Sequence, residues 1–133
     1  MIARPIPASH IDLVERPLIV ALATTIADGT PQVTPTWFHY DGTYMYVNSA
    51  KGRLKDRAMR AHPYVGLMIL DPDNPYRYLA IRGPVVEITE TGGREHIDML
   101  ARRYTGADRF VVSSPDEVRV IYKIAPEHIL TAE

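Results

Sequence analysis

The chain has 133 residues, 15 Lys and Arg against 16 Asp and Glu, a formal charge of −1 and no cysteine. This length is that of one domain with a single core, so residues 1–133 are expected to fold as one unit. The composition excludes disulfides, thiolate metal sites and a cysteine nucleophile. The near-neutral charge argues against bulk nucleic-acid binding.

A short helix is predicted around Ser9 to Glu15, stopped by Pro17. Leu18 to Thr25 is an apolar, partly β-branched run that ends at Asp28-Gly29, a hairpin signal. Thr30 to Tyr40 follows and ends at a second such signal, Asp41-Gly42, and Thr43 to Asn48 is a third strand. A basic helix then runs to Pro63, followed by a strand from Val65 to Leu70 and a turn-rich stretch from Asp71 to Pro75. Arg77 to Thr89 is a long strand interrupted by Gly83-Pro84, which predicts a bend or an edge. Gly92 to Tyr104 is a helix with Ile97, Leu100, Ala101 and Tyr104 inward and Gly106 as its stop, and Val118 to Ile124 is the last strand. Six strands, three in a consecutive meander, with short helices inserted, predict a mainly β fold: an antiparallel sheet closed into a small barrel. No run approaches the roughly 18 apolar residues of a membrane span. The start, Met1 to Pro7, lacks the order of a secretory signal, so a cytoplasmic protein is expected.

Charge is concentrated at one place. Lys51, Arg53, Lys55, Arg57 and Arg60 fall within ten positions, with Asp56 the only acid among them. Asn48-Ser49 offers helix N-caps, and Leu54, Ala58 and Ala61 would form one apolar stripe at about 100° per residue, flanked by cations. Such a segment gathers positive charge at a helix N-terminus, where a phosphate would offset it, or else it is a solvated basic face. The five histidines, His10, His39, His62, His96 and His128, show no H-x-x-x-H spacing or carboxylate pairing, so no metal site is expected. Ser113 and Ser114 precede Pro115 with no nearby base and read as a turn. No acid-base or nucleophile set emerges and no catalytic residue is assigned, so an enzyme of this sequence would take its chemistry from a cofactor.

The order of elements, with Asn48 to Arg57, His62-Pro63, the Asp71 to Tyr78 stretch and Arg82-Gly83, resembles the flavin/deazaflavin oxidoreductases of the pyridoxamine 5′-phosphate oxidase-like superfamily. The likeness covers about Leu18 to Ile124 and is strongest to the branch using the deazaflavin coenzyme F420. It implies a six-stranded split β-barrel, a homodimer, and two cofactor sites at the subunit interface. Carried over by position, it gives Lys51, Arg53 and Lys55 the phosphate and acidic tail of the cofactor, with Arg57 as a helper. Val33, Thr34, Pro35, Thr36 and Trp37 would run beside the ring, with Asn48 and Ser49 at its other side. Tyr76, Arg77 and Tyr78 would approach from the second subunit. Ala58 departs from the pattern, since many relatives have Asn there.

The resemblance implies a reductase that transfers a hydride from reduced F420 to a small or medium conjugated molecule. An FMN-dependent oxidase or flavin reductase of the same fold is the alternative, and a non-catalytic flavin, F420 or haem carrier is a second. A basic cluster spread along a helix three turns long favours the longer polyanion, F420. A nucleic-acid partner is not expected, because the basic stretch lacks interleaved aromatics and the chain a basic net charge, and a membrane partner is not expected for want of a long apolar run.

Overall fold

The computed structural model describes residues 2–133. A 3₁₀ turn (Ala8–His10) leads into α1 (Asp12–Glu15), then β1 (Val20–Thr25), β2 (Pro31–Thr36) and a two-residue β3 (His39–Tyr40). β4 (Met45–Ala50), α2 (Leu54–Ala61), β5 (Tyr64–Asp71) and the long β6 (Asn74–Thr89) follow. α3 (Gly93–Thr105), β7 (Arg119–Ile124) and β8 (His128–Ala132) complete the chain. Adjacent strands run antiparallel in the order β2-β1-β5-β6-β7-β4-β3, with β8 beside the first half of β6. The expected mainly β barrel with short helices is the fold of this chain.

Three strand expectations need correction. The predicted Thr30–Tyr40 strand is two strands, because the chain turns at Trp37 and Phe38 and leaves one edge of the sheet for the other. The consecutive meander is therefore not formed: β4 pairs with β7, in register from Met45↔Ile124 to Ala50↔Arg119, and not with β2. β8 raises the count beyond six. It follows Pro126, which breaks the local pattern, and it is held by pairing with β6 through Ile81↔Ile129 and Leu79↔Thr131.

The bend foreseen at Gly83-Pro84 is where β6 changes partners. Up to Pro84 it lies against β5, and from Val85 onward against β7. A Cβ on Gly83 would sit 1.8 Å from the carbonyl oxygen of Ala125, so the crossing admits only glycine. The core enclosed by the sheet holds Leu13, Leu22, Phe38, Met45, Met59, Leu79 and Tyr122, all fully buried. Each such apolar side chain contributes about 1.5–3 kcal/mol on leaving water. α3 ends as predicted at Gly106, whose φ of 79° continues the last turn into a left-handed cap. No helix among the described residues is long and apolar enough to cross a membrane.

Candidate functional site

The basic segment folds differently from its sequence pattern. Asn48 and Ser49 are strand residues of β4, and the helix starts only after Arg53, so α2 has eight residues and Lys51 precedes it. The strand wins because Asn48 and Ser49 pair with Ile121 and Val120 of β7, which outweighs their local capping preference. The inward face of α2 is Asp56, Ala58 and Met59, whereas Leu54 and Ala61 are exposed. The predicted stripe of Leu54, Ala58 and Ala61 thus holds only at Ala58.

Asp56 explains the rotation of the helix. Its carboxylate accepts the Gly52 amide (2.9 Å), the Tyr122 hydroxyl (2.5 Å) and Arg60 Nε (3.0 Å). Burial opposes its ionisation, but these three donors outweigh it and hold the carboxyl below the usual carboxylate range. Burial, and then the same hydrogen bond, push the Tyr122 hydroxyl upward. Part of the cluster's charge is offset within the chain itself. Lys51 pairs with Glu90 at 2.8 Å, Arg60 with Asp56, and Arg53 approaches Glu117 at 4.0 Å.

Lys55 is different. It is half-buried, and its Nζ has a single hydrogen-bond partner among the described residues, Thr34 Oγ1 at 3.5 Å. Burial, then the neighbouring Arg53 and Arg119, push its ammonium down from the ordinary lysine value. A desolvated cation repelled by two others, with no carboxylate of its own, is what an anion site requires.

Lys55 and Arg53 open onto a cleft of about 330 Å³, with Pro35, Thr36 and Trp37 from the β2 end and Ile19 and Phe110 around them. Its floor is Asn48 and Arg119. Phe110 comes from the segment after α3, to which no element was assigned from sequence. It stands edge-on to Trp37, which in turn stacks on Tyr104 at 5.3 Å and 13°. Arg119 had no sequence signal. Its guanidinium lies 4.9 Å from the Phe110 ring, and Nη1 donates to Glu117 at 2.9 Å. Burial weighs against the charge of Glu117, but the bond from Arg119 and the Ser113 amide hold its carboxyl low. Three cations against one carboxylate leave the cleft positive.

Asn48 is the buried hinge of this floor. Its Oδ1 accepts Arg119 Nε–H at 2.9 Å, and its Nδ2 donates to Gly93 O and to His96 Nδ1, both at 3.0 Å. α3 comes this close only because Gly93 has no side chain, as a Cβ there would meet Arg119 O at 2.1 Å. His96 in turn reaches His39 Nδ1 through Nε2 at 2.9 Å. Sequence spacing gave no hint that these two histidines meet.

The structure thus gathers Pro35, Thr36, Trp37, Asn48, Arg53 and Lys55 at one cleft, with Thr34 bonded to Lys55. Lys51 and Arg57 do not line it: Lys51 is held by Glu90, and Arg57 Nε donates to Gly52 O. The hydroxyl of Ser49 is buried on the opposite face of β4 from Asn48. Ala58 is buried too, so the position where relatives carry Asn faces the core here. Val33 lies outside the cleft and lines a wider groove of about 1120 Å³ across β1, β5, β6 and β8. Tyr76 and Tyr78 are remote from the cleft, and Arg77 is tied to Asp12 and Asp71.

The family described as pyridoxamine 5′-phosphate oxidase matches the chain over residues 6–132. Among solved structures the chain is similar to an F420 reductase, at 37% identity over 94% of this chain and 98% of that one, with a TM-score of 0.83. It is also similar to a putative pyridoxamine 5′-phosphate oxidase from Listeria innocua, at 23% identity over 92% and 94% of the two chains, with a TM-score of 0.69. A conserved hypothetical protein from Mycobacterium tuberculosis is 22% identical over 96% of this chain and 85% of that one, with a TM-score of 0.72. The last two bear on the fold alone. No curated protein matches the chain.

Proposed function

The chain belongs to the pyridoxamine 5′-phosphate oxidase family, and from that premise we propose that it is an oxidoreductase dependent on coenzyme F420. One observation carries the choice of cofactor: the near full-length similarity, at 37% identity, to a protein called an F420 reductase. The cleft fits an anionic cofactor on its own chemistry. Lys55 has no carboxylate partner among the described residues, Arg119 and Arg53 stand beside it, and about 330 Å³ lies at the lower end of small-molecule pockets.

Within this reading Lys55, Arg53 and Arg119 bind the anionic part, and Asn48 orients Arg119 toward it. Trp37 and Phe110 exclude water from the same cleft, which strengthens each of those charged contacts. When bound, the reduced cofactor supplies the hydride. No proton donor is assigned to the chain, and a small or medium conjugated acceptor needs only access to the exposed side of the bound cofactor.

The partner in this reading is a second copy. The wide groove across β1, β5, β6 and β8 exposes Val33 (65%) and Leu130 (61%) between Ala21, Ala23, Met68 and Ile129. A large exposed apolar patch of this kind supports an interface with that copy. The exposed Tyr76, and Tyr78 beside it, would then serve the cofactor of the other protomer.

The test is titration of the wild type and Lys55→Ala with coenzyme F420 and with FMN, followed by fluorescence. The variant is expected to bind F420 about 2 kcal/mol more weakly, the worth of a hydrogen bond to a charged group. Tighter wild-type binding of FMN than of F420 would transfer the assignment to the FMN enzymes. Equal affinity of wild type and variant for both would remove the cleft as the anion site.

A further inference from the structure

Arg119 reaches the cleft as the last member of a buried hydrogen-bond chain whose direction is fixed at every link. Arg119 Nε can only donate, so the Asn48 oxygen faces it. Gly93 O can only accept, so the Asn48 amide nitrogen faces that carbonyl and, with its second hydrogen, His96 Nδ1. His96 Nδ1 is therefore the bare nitrogen, its proton is on Nε2, and Nε2 donates to His39 Nδ1. His39 is half-buried, stacked on Tyr46 at 4.5 Å and 4°, and Tyr46 donates to Asp41 at 2.8 Å.

We infer that His96, backed by His39, is a positioning residue for Arg119: its neutral Nε2–H tautomer fixes the Asn48 amide, and the amide fixes the guanidinium at the cleft floor. The inference rests on the proposed cofactor reading only for what the cleft binds. The geometry leaves no alternative arrangement. A second proton on His96 would set Nδ1–H against the Asn48 amide hydrogens. Turning the amide over to accept that proton would set its NH₂ against Arg119 Nε–H and its oxygen against Gly93 O. In the first case the amide is repelled from the position that presents its oxygen to Arg119, and in the second Arg119 loses its acceptor outright.

The surroundings hold the pair neutral. His96 is buried, and burial, then His39, then Arg119 lower its pKa to about 4. At His39 burial again dominates, Arg103 of α3 adds to it, and Asp41 opposes it. From β4 the neighbour is Tyr46, whose hydroxyl burial and Asp41 push up to about 12, so it stays neutral. Glu117, across Arg119, is already engaged by that arginine.

The experiment follows the Arg119 Nε–H resonance by NMR in the ligand-free protein, with coenzyme F420 affinity measured alongside. At neutral pH, His96→Leu is expected to shift that resonance and weaken F420 binding roughly tenfold, the order of one charge-assisted hydrogen bond. His96→Gln, whose amide can accept from Asn48 and donate to His39, is expected to restore both. On acidification of the wild type, the resonance should move with the His96 ring signals, whereas in His96→Gln it should stay still. An Arg119 resonance that ignores both the variants and the His96 titration overturns the inference. If His96→Leu fails to fold, the wild-type titration decides; if acid unfolds the protein first, the comparison of the variants at neutral pH decides. Failure of F420 to bind, with Arg119 still following His96, overturns the cofactor reading and leaves the relay standing.

Discussion

The cleft and the groove are built in opposite ways. The cleft is small, and its polar groups are pinned: Arg119 by Asn48 and Glu117, Asn48 by Gly93 and His96, Trp37 by Tyr104. The groove is more than three times larger, and its exposed Val33, Met68 and Leu130 are held only by the sheet beneath them. Fixed donors in a partly dry site discriminate among ligands, because a wrong group leaves them unpaired. A broad apolar face discriminates little and supplies area, which suits a second copy of the chain. In the proposed reading, ligand and partner fall to separate parts of one sheet.

The sharpest way to break this contrast is to charge the groove. Leu130→Asp is expected to turn a dimer into a monomer, since a carboxylate buried in an apolar interface costs several kcal/mol, more than one leucine contributes. Light scattering at micromolar concentration reads the outcome. A dimeric variant would place the interface elsewhere, and a monomeric wild type would remove the shared-site arrangement.

What sequence made legible follows the same division. Arg53 and Lys55 stood out because their charge is clustered along the chain, and the hairpins at Gly29 and Gly42 because turn chemistry is local. Arg119 was silent: two residues after Glu117, it looks like half of a surface pair, yet both side chains are buried. Asn48 and Ser49 have the local chemistry of helix caps, but their strand is fixed by β7, some 70 residues later in the chain. The Asn48–His96 contact depends on a strand and a helix brought together at Gly93, and no periodicity reports such a meeting. Local chemistry was visible, and contacts made by tertiary pairing were not.

A pH experiment sharpens the comparison from the cleft side. The unfolded chain takes up a proton at an ordinary histidine near pH 6.5, whereas folded His96 resists until about 4. Between these values the unfolded state binds more protons, so stability rises with pH and is lost as pH falls through that window. The full effect is on the order of 3 kcal/mol for a buried group. Urea denaturation between pH 7 and 5, above most carboxylate titrations, should show a slope that His96→Gln flattens. An unchanged slope in that variant would move the proton uptake to another group.

The smallest effect separates two neighbours on one strand. Asn48 satisfies three partners, whereas Ser49, facing the other way, has the one buried side-chain oxygen without a hydrogen bond among the described residues. Its cross-strand partner is Val120, and with Val47 it sits on the core face of β4. A hydroxyl stripped of water with no acceptor is a standing penalty, and replacing it removes only one heavy atom from the packing. Ser49→Ala is therefore expected to raise stability by up to about 1 kcal/mol, the lower end of that desolvation cost, read by urea denaturation. Affinity for F420 should not change, because the cleft lies on the Asn48 side. A variant that keeps its stability but loses affinity would place the hydroxyl against the ligand, the role the family resemblance implied for it.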